Sequence, residues 1–113
     1  MQAAMVTTWT GALVGREMKA LEYGAEAIEL WGKQAAAGRC TPPEFFFADA
    51  GGGMFMVRGD LAELRAIRDE EATLRLIARG LVVLDDYHIE FYDTGDAADA
   101  FMGRYATAVV ELT

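Results

Sequence analysis

The feature that most constrains this chain is a hairpin predicted over residues 44–59, EFFFADAGGGMFMVRG. Two apolar runs, 44–49 and 54–58, flank the glycines 51–53, which predict the turn. Both runs carry apolar side chains on both faces, whereas a hairpin with one solvated face would alternate apolar and polar residues. Two prolines precede the first run and favour a sheet edge. The second face needs a cover, and we therefore expect a homodimer.

The first third of the chain predicts a strand followed by a long helix. Residues 5–13 are rich in Val, Thr and Trp and predict a central strand with both faces covered. Residues 15–37 predict the helix, whose expected core stripe is Met18, Leu21, Ala25, Ile28, Gly32 and Ala35. Outside that stripe lie further residues that are not polar: Ala20, Tyr23, Ala27, Leu30 and Trp31. So wide an apolar arc predicts a second contact with the C-terminal segment or another subunit.

The remainder predicts a helix, a strand and a terminal appendage. Asp60 is the expected N-cap of a helix that reaches Arg79, with Glu63 as its capping-box partner. Residues 81–94 contain a strand with strict alternation, one face being Tyr87, Ile89 and Phe91 and the other Asp86, His88, Glu90 and Tyr92. We expect a short helix capped by Asp96 and ending near Arg104. The segment 106–113 fits helix or strand, and we favour helix followed by extended chain.

The element order is therefore strand, helix, strand, strand, helix, strand, plus the appendage. Two β-α-β-type halves joined at the hairpin predict an α+β, ferredoxin-like fold with an antiparallel sheet. The 113 residues fit one domain, 1–113, that is long enough to bury a core.

The amino-acid composition limits the classes of molecule that this chain can bind. The formal net charge is −8, so the surface repels nucleic acid and anionic lipid. No apolar run approaches the roughly 20 residues of a membrane helix, and the N-terminus lacks the pattern of a signal peptide. The single cysteine, Cys40, fits a reducing compartment. We expect a cytoplasmic protein without nucleic-acid or membrane partners.

Over about residues 5–92, the element order and the doubly apolar hairpin resemble the dimeric α+β barrel superfamily. Its small acidic members include antibiotic-biosynthesis monooxygenase-like and stress-responsive barrel proteins. The resemblance implies that two sheets pack face to face into a barrel. Members range from cofactor-independent oxygenases and isomerases to haem-degrading enzymes and proteins without known activity. The haem-degrading branch uses a helical histidine that this chain lacks, so we expect no cofactor, and no catalytic residue carries over.

Two residues are candidates for proton transfer. His88 shares a strand face with Asp86, Glu90 and Tyr92, where a carboxylate could orient the imidazole for general acid–base work. The alternative is a solvated edge strand, and ligands that diverge along a strand do not favour a metal site. Glu71 falls near the middle of the second helix's stripe, where desolvation would raise its pKa. Its alternative is an ion pair with Arg75 or Arg68.

Other residues could shape a pocket between sheet and helices. Trp9 and Trp31 could stack on a planar ligand, with Tyr92 and Arg75 contributing to the same pocket, although buried tryptophans are commonly part of the core. Cys40 could be a reactive thiol or an ordinary free cysteine.

Two hypotheses follow. In the first, a homodimer, or a higher oligomer, either binds a small, largely apolar molecule between sheet and helices or is a cofactor-independent, oxygenase-like or isomerase-like enzyme. In the second, the chain is a non-catalytic dimerisation or assembly module.

Overall fold

The computed structural model describes residues 2–113. Strands and helices follow the predicted order, with two short strands and one helix break added. The elements are β1 (Gln2–Trp9), β2 (Gly11–Ala12), α1 (Glu17–Ala36), β3 (Glu44–Phe47), β4 (Gly53–Asp60), α2 (Leu61–Arg68), α3 (Glu71–Val83), β5 (Leu84–Asp85), β6 (His88–Asp93) and α4 (Gly95–Leu112).

The main sheet has four antiparallel strands in the order β3-β4-β1-β6. In the central strand β1, Met5 pairs with Val57 on one side and with Phe91 on the other. The short strands β2 and β5 form a separate ladder in which Gly11 pairs with Asp85. This order is that of the ferredoxin-like fold, which confirms the predicted fold class, the central first strand and the edge position of β3.

The core lies between one face of this sheet and the helices. Cross-strand partners share a face, so the register places Met5, Thr7, Phe55 and Val57 on the helix side. They are buried together with residues of α1, α2 and α3: Tyr23, Ala27, Trp31, Leu64, Ile67 and Leu76. Large side chains therefore fill the layer between sheet and helices.

The predicted core stripe of α1 is wrong. Met18, Leu21 and Ile28 are 71%, 69% and 55% exposed, while Tyr23 and Trp31 are buried against the sheet. Both arcs of this helix are apolar, so periodicity alone does not select the inner one. Aromatic side chains remove the larger area from water, and their burial sets the rotation of the helix.

The predicted second helix is two helices. Asp69 caps α2, and Glu70 has extended torsions (φ −69°, ψ 145°) before α3 begins. Because of this break, α3 is rotated about its axis independently of α2. The single apolar stripe that we expected across one continuous helix is therefore wrong. The buried residues of α3 are Thr73, Leu76, Gly80 and Val83.

The turns and the start of α2 contain residues that suit the local backbone conformation. Gly51 has φ +99°, and a Cβ on Gly53 would lie 2.8 Å from the Phe46 carbonyl oxygen, so both positions of the hairpin require glycine. Asp60 accepts bonds from the amides of Ala62 and Glu63, which confirms the predicted N-cap.

Arg39 holds the end of α1 to the other helices. Its guanidinium donates to Glu63 at 2.5 Å and to Glu70 at 2.7 Å, and it also bonds Gln34 at 2.8 Å. Glu63 therefore belongs to an ion-pair network. The network joins α1, α2 and the break before α3.

The C-terminal helix is longer than expected. α4 runs without interruption over 18 residues from N-cap residue Thr94, so the predicted Asp96 cap and the extended tail are wrong. None of its residues is buried, and its main contacts are with β1 and β6. The radius of gyration is 16.2 Å, against about 13 Å for a compact chain of this length.

Candidate functional site

The sheet surface that points away from α1, α2 and α3 is the main candidate site, and we call it the open face. Alternation and register assign to it Gln2, Ala4, Val6, Thr8, Glu44, Phe46, Met54, Met56, Arg58, His88, Glu90 and Tyr92. Val6 lies between Met56 and Glu90 and is only 9% exposed. Met54 and Met56 are half-buried, while Phe46 and Tyr92 are exposed. The open face therefore has an apolar centre with charged and polar side chains around it.

His88 stands on the open face at the start of β6, paired with Thr8. Its Nε2 lies 2.7 Å from a carboxylate oxygen of Asp86, and both side chains are exposed. Asp86 precedes the strand with φ +51°, a left-handed conformation that is uncommon outside glycine. The carboxylate orients the imidazole, as an acid–base pair requires. The predicted proximity of the two residues is confirmed, although Asp86 reaches His88 from a turn and not from the strand.

Glu71 does not occupy an apolar environment. It is the first residue of α3 and bonds Arg75 at 3.1 Å, with the two side chains 75% and 72% exposed. The expected desolvation is wrong because the break at Glu70 rotates α3, and the alternative ion pair with Arg75 is confirmed. Arg68 instead pairs with Asp69.

The tryptophans lie in packed surroundings. Trp31 is buried in the core, and the ring of Trp9 packs at 6.4 Å from those of Phe47 and Phe55. Tyr92 is on the opposite side of the sheet, on the open face. Of the six residues proposed for a site, the structure brings His88 and Tyr92 onto the open face and pairs Glu71 with Arg75 elsewhere on the surface, and it does not gather the six into one site.

Cys40 lies beside an open groove of about 550 Å³ that Arg39, Thr41 and Arg58 also line. Burial raises the pKa of its thiol, and the nearby charge of Arg39 only partly opposes that shift. A raised pKa disfavours the thiolate, which supports an ordinary free cysteine.

Sequence reasoning missed a buried tyrosine pair. The hydroxyl oxygens of Tyr23 and Tyr87 are 2.7 Å apart, and their rings meet edge to face at 5.8 Å. Burial raises the pKa of Tyr23 and, despite the bond from Tyr23, also that of Tyr87. Both phenols are therefore neutral at physiological pH. The pair joins positions 64 residues apart, and no local pattern indicates it.

Between residues 2 and 113, no group of three or more His, Cys, Asp and Glu side chains is arranged to hold a metal ion. Over the same range, no helix has the length and apolarity needed to cross a membrane.

The geometry defines a ferredoxin-like α+β chain with one sheet face that α1, α2 and α3 do not cover, and known structures share this fold. The sequence matches no protein-family model. It matches no curated protein either. A dabb family protein with a ferredoxin-like fold from Mesorhizobium loti superposes with a TM-score of 0.61 at 13% identity, over 84% of this chain and 99% of the other.

Two Bacteroides structures are similar in the same way. A dimeric protein of unknown function with a ferredoxin-like fold from Bacteroides fragilis has a TM-score of 0.58 at 6% identity, over 82% of this chain and 96% of the other. A protein of unknown function from Bacteroides thetaiotaomicron, described as a "possible oxidoreductase", has a TM-score of 0.61 at 11% identity, with the same coverage. At these identities the likeness establishes the fold alone.

Proposed function

We propose that this chain works as a homodimeric assembly module in which two copies join through their open faces. The observation that carries the proposal is the open face itself, where the half-buried Met54 and Met56 surround the buried Val6 and form an apolar centre within a polar surround. Interfaces between proteins have this composition, with an apolar centre inside a polar rim. The dimeric Bacteroides fragilis protein of the same fold supports the assembly.

The charged side chains of the open face are compatible with a two-fold symmetric contact between two copies. In a two-fold dimer the same patch faces itself, so a side chain away from the symmetry axis meets a different side chain on the partner. Arg58 can then approach an acidic side chain of the other copy, Glu44 or Glu90. A self-complementary patch of this kind favours dimers over open chains of subunits.

The filled layer between sheet and helices supports assembly over catalysis within one chain. Trp31, Phe55 and Met5 are fully buried there, where the first hypothesis places a ligand. Glu71 and Arg75 pair with each other in solvent.

The assembly can be tested by sedimentation at micromolar concentration. Met56→Lys would place a charge in the apolar centre, and we expect it to weaken dimerisation at least about tenfold. Val14→Lys is the matched control, because Val14 is 97% exposed and lies outside the sheet; it should leave the dissociation constant unchanged. A wild-type protein that is a monodisperse monomer would contradict the proposal.

A second candidate function is cofactor-independent proton transfer on a small, largely apolar molecule. The hydrogen bond between His88 and Asp86 supports it, and the description of the Bacteroides thetaiotaomicron structure is compatible with it. The ligand would lie at the margin of the open face, near Tyr92. Thermal-shift screening of planar ligands tests this idea: His88→Gln should abolish a shift that Glu71→Gln retains. If no ligand stabilises the wild type, this candidate fails.

A further inference from the structure

The outward side of α1 carries a regular apolar stripe. Its residues repeat with alternating spacings of three and four, and we call them the α1 outer stripe: Met18, Leu21, Ala25, Ile28, Gly32 and Ala35. The large members are mostly exposed, and an added Cβ at Gly32 would meet no atom within 4 Å. The stripe is therefore an uncovered, shallow apolar track about 26 Å long.

Helix α4 carries a second stripe with the same alternation. Its members, the α4 stripe, are Ala98, Phe101, Tyr105, Ala108 and Leu112. Phe101 is 53% exposed, Tyr105 57% and Leu112 88%. Spacings of three and four residues are those of helices that pack knobs into holes. Each stripe therefore has the residue spacing of one helix in a packed helix pair.

We propose that the α4 stripe of one copy packs against the α1 outer stripe of a second copy. The seams match in length, because the α4 stripe extends about 21 Å along the α1 track of about 26 Å. They also match in spacing, because seven residues separate Phe101 from Ala108 and Ala25 from Gly32. With the two helices antiparallel, Phe101 enters the gap left by Gly32, and Ala108 lies opposite Ala25.

We favour contact of α1 with α4 over contact of like helices because it covers both apolar stripes. Contact of α1 with α1 would leave α4 exposed, and contact of α4 with α4 would leave α1 exposed. Exchange of α4 between two copies covers both stripes, and two-fold symmetry makes the contact twice.

Charge also favours the α1–α4 pairing. Arg104, the one basic residue of α4, lies beside the α4 stripe, and Glu22 and Glu29 lie beside the α1 outer stripe. These glutamates are exposed, and within residues 2–113 their ion-pair partners are the neighbouring lysines Lys19 and Lys33. An arginine brought to the seam by the second copy would meet an acidic margin.

Cysteine cross-linking of the full chain tests the contact. In a Cys40→Ser background, a tagged Ala25→Cys chain is co-expressed with an untagged Ala108→Cys chain and then oxidised. The tag identifies products that join two different chains. We expect at least about five times more mixed product than with Thr107→Cys, which lies on the opposite side of α4.

Two results would overturn the proposal. One is a mixed product no more abundant than with the Thr107→Cys control, and the other is a predominance of Ala108→Cys chains joined to each other. Adding Phe101→Glu to the Ala108→Cys chain should reduce the mixed product to the control level, while circular dichroism checks that the fold is retained.

The experiments test the two proposals, the helix exchange and the open-face dimer, independently of each other. If Met56→Lys leaves association unchanged while the α1–α4 cross-link persists, the open-face proposal is wrong and the exchange stands. If Met56→Lys weakens association and no such cross-link forms, the exchange is wrong and the open-face dimer stands.

Discussion

The hydroxyl groups of Tyr23 and Tyr87 share a 2.7 Å, partly buried hydrogen bond, which ties the middle of α1 to the segment just before β6. Tyr23 is buried and Tyr87 is half-buried, so each phenol supplies the other's polar partner where water has little access. Removing one hydroxyl would leave the other unsatisfied, a loss of about 1–3 kcal/mol.

A double-mutant cycle measures this bond. Tyr23→Phe and Tyr87→Phe should each lower the free energy of unfolding by about 1–3 kcal/mol, and the double variant should lose less than the sum. Urea unfolding gives the four values. Strictly additive losses would contradict a hydroxyl–hydroxyl contact.

The same pair predicts a loss of stability in alkali. Because burial raises the pKa of Tyr23 above its ordinary value of 10.0, the unfolded chain ionises first as pH rises. The stabilising contribution is full below pH 10 and falls above it, since the native state then binds more protons than the unfolded state. Unfolding measured between pH 8 and 11 should show a shallower fall for Tyr23→Phe than for the wild type. Parallel curves would argue against a protonated, buried phenol.

Replacing glycine by alanine should change the stability of the protein in opposite directions at two helical positions, Gly80 and Gly24. A Cβ on Gly80 would lie 2.6 Å from Cζ of Tyr87, so Gly80→Ala should destabilise the protein by about 1–3 kcal/mol. Gly24→Ala is the control: it is helical, nothing lies within 4 Å, and it should stabilise by up to about 1 kcal/mol. Thermal unfolding separates the two outcomes, and equal effects would contradict the close approach of Tyr87 to α3.

The Arg39 network predicts salt-sensitive stability. Arg39→Gln removes ion pairs with Glu63 and Glu70 and should lower Tm, whereas Arg75→Gln removes one exposed pair and should change Tm much less. The difference between Arg39→Gln and the wild type should shrink in 1 M NaCl, where these charges are screened. A difference that is independent of salt would indicate lost packing and not lost charge.

The strands could be predicted from the sequence because their signal is local. Alternation along β6 assigned Ile89 to the core side and His88 to the open face, and prolines placed β3 at the edge. The fold class follows from the order of such elements, and its similarity to solved ferredoxin-like structures confirms it.

The helix rotations could not be predicted in this way. On α1 two apolar arcs compete, and burial of Trp31 decides between them. The break at Glu70 uses residues that also occur within helices, so the sequence gives no sign that Glu71 starts a new helix in solvent. Contacts such as Tyr23 with Tyr87 depend on tertiary packing, which local spacing does not encode.

The 18 residues of α4 have a thermodynamic consequence. Helices in proteins gain most of their stability from packing an apolar face, and no residue of α4 is buried. Beyond its contacts with β1 and β6, α4 therefore has little tertiary support within its own chain. If another copy supplies that support, dilution melts α4 before the sheet, and helical content becomes a function of protein concentration.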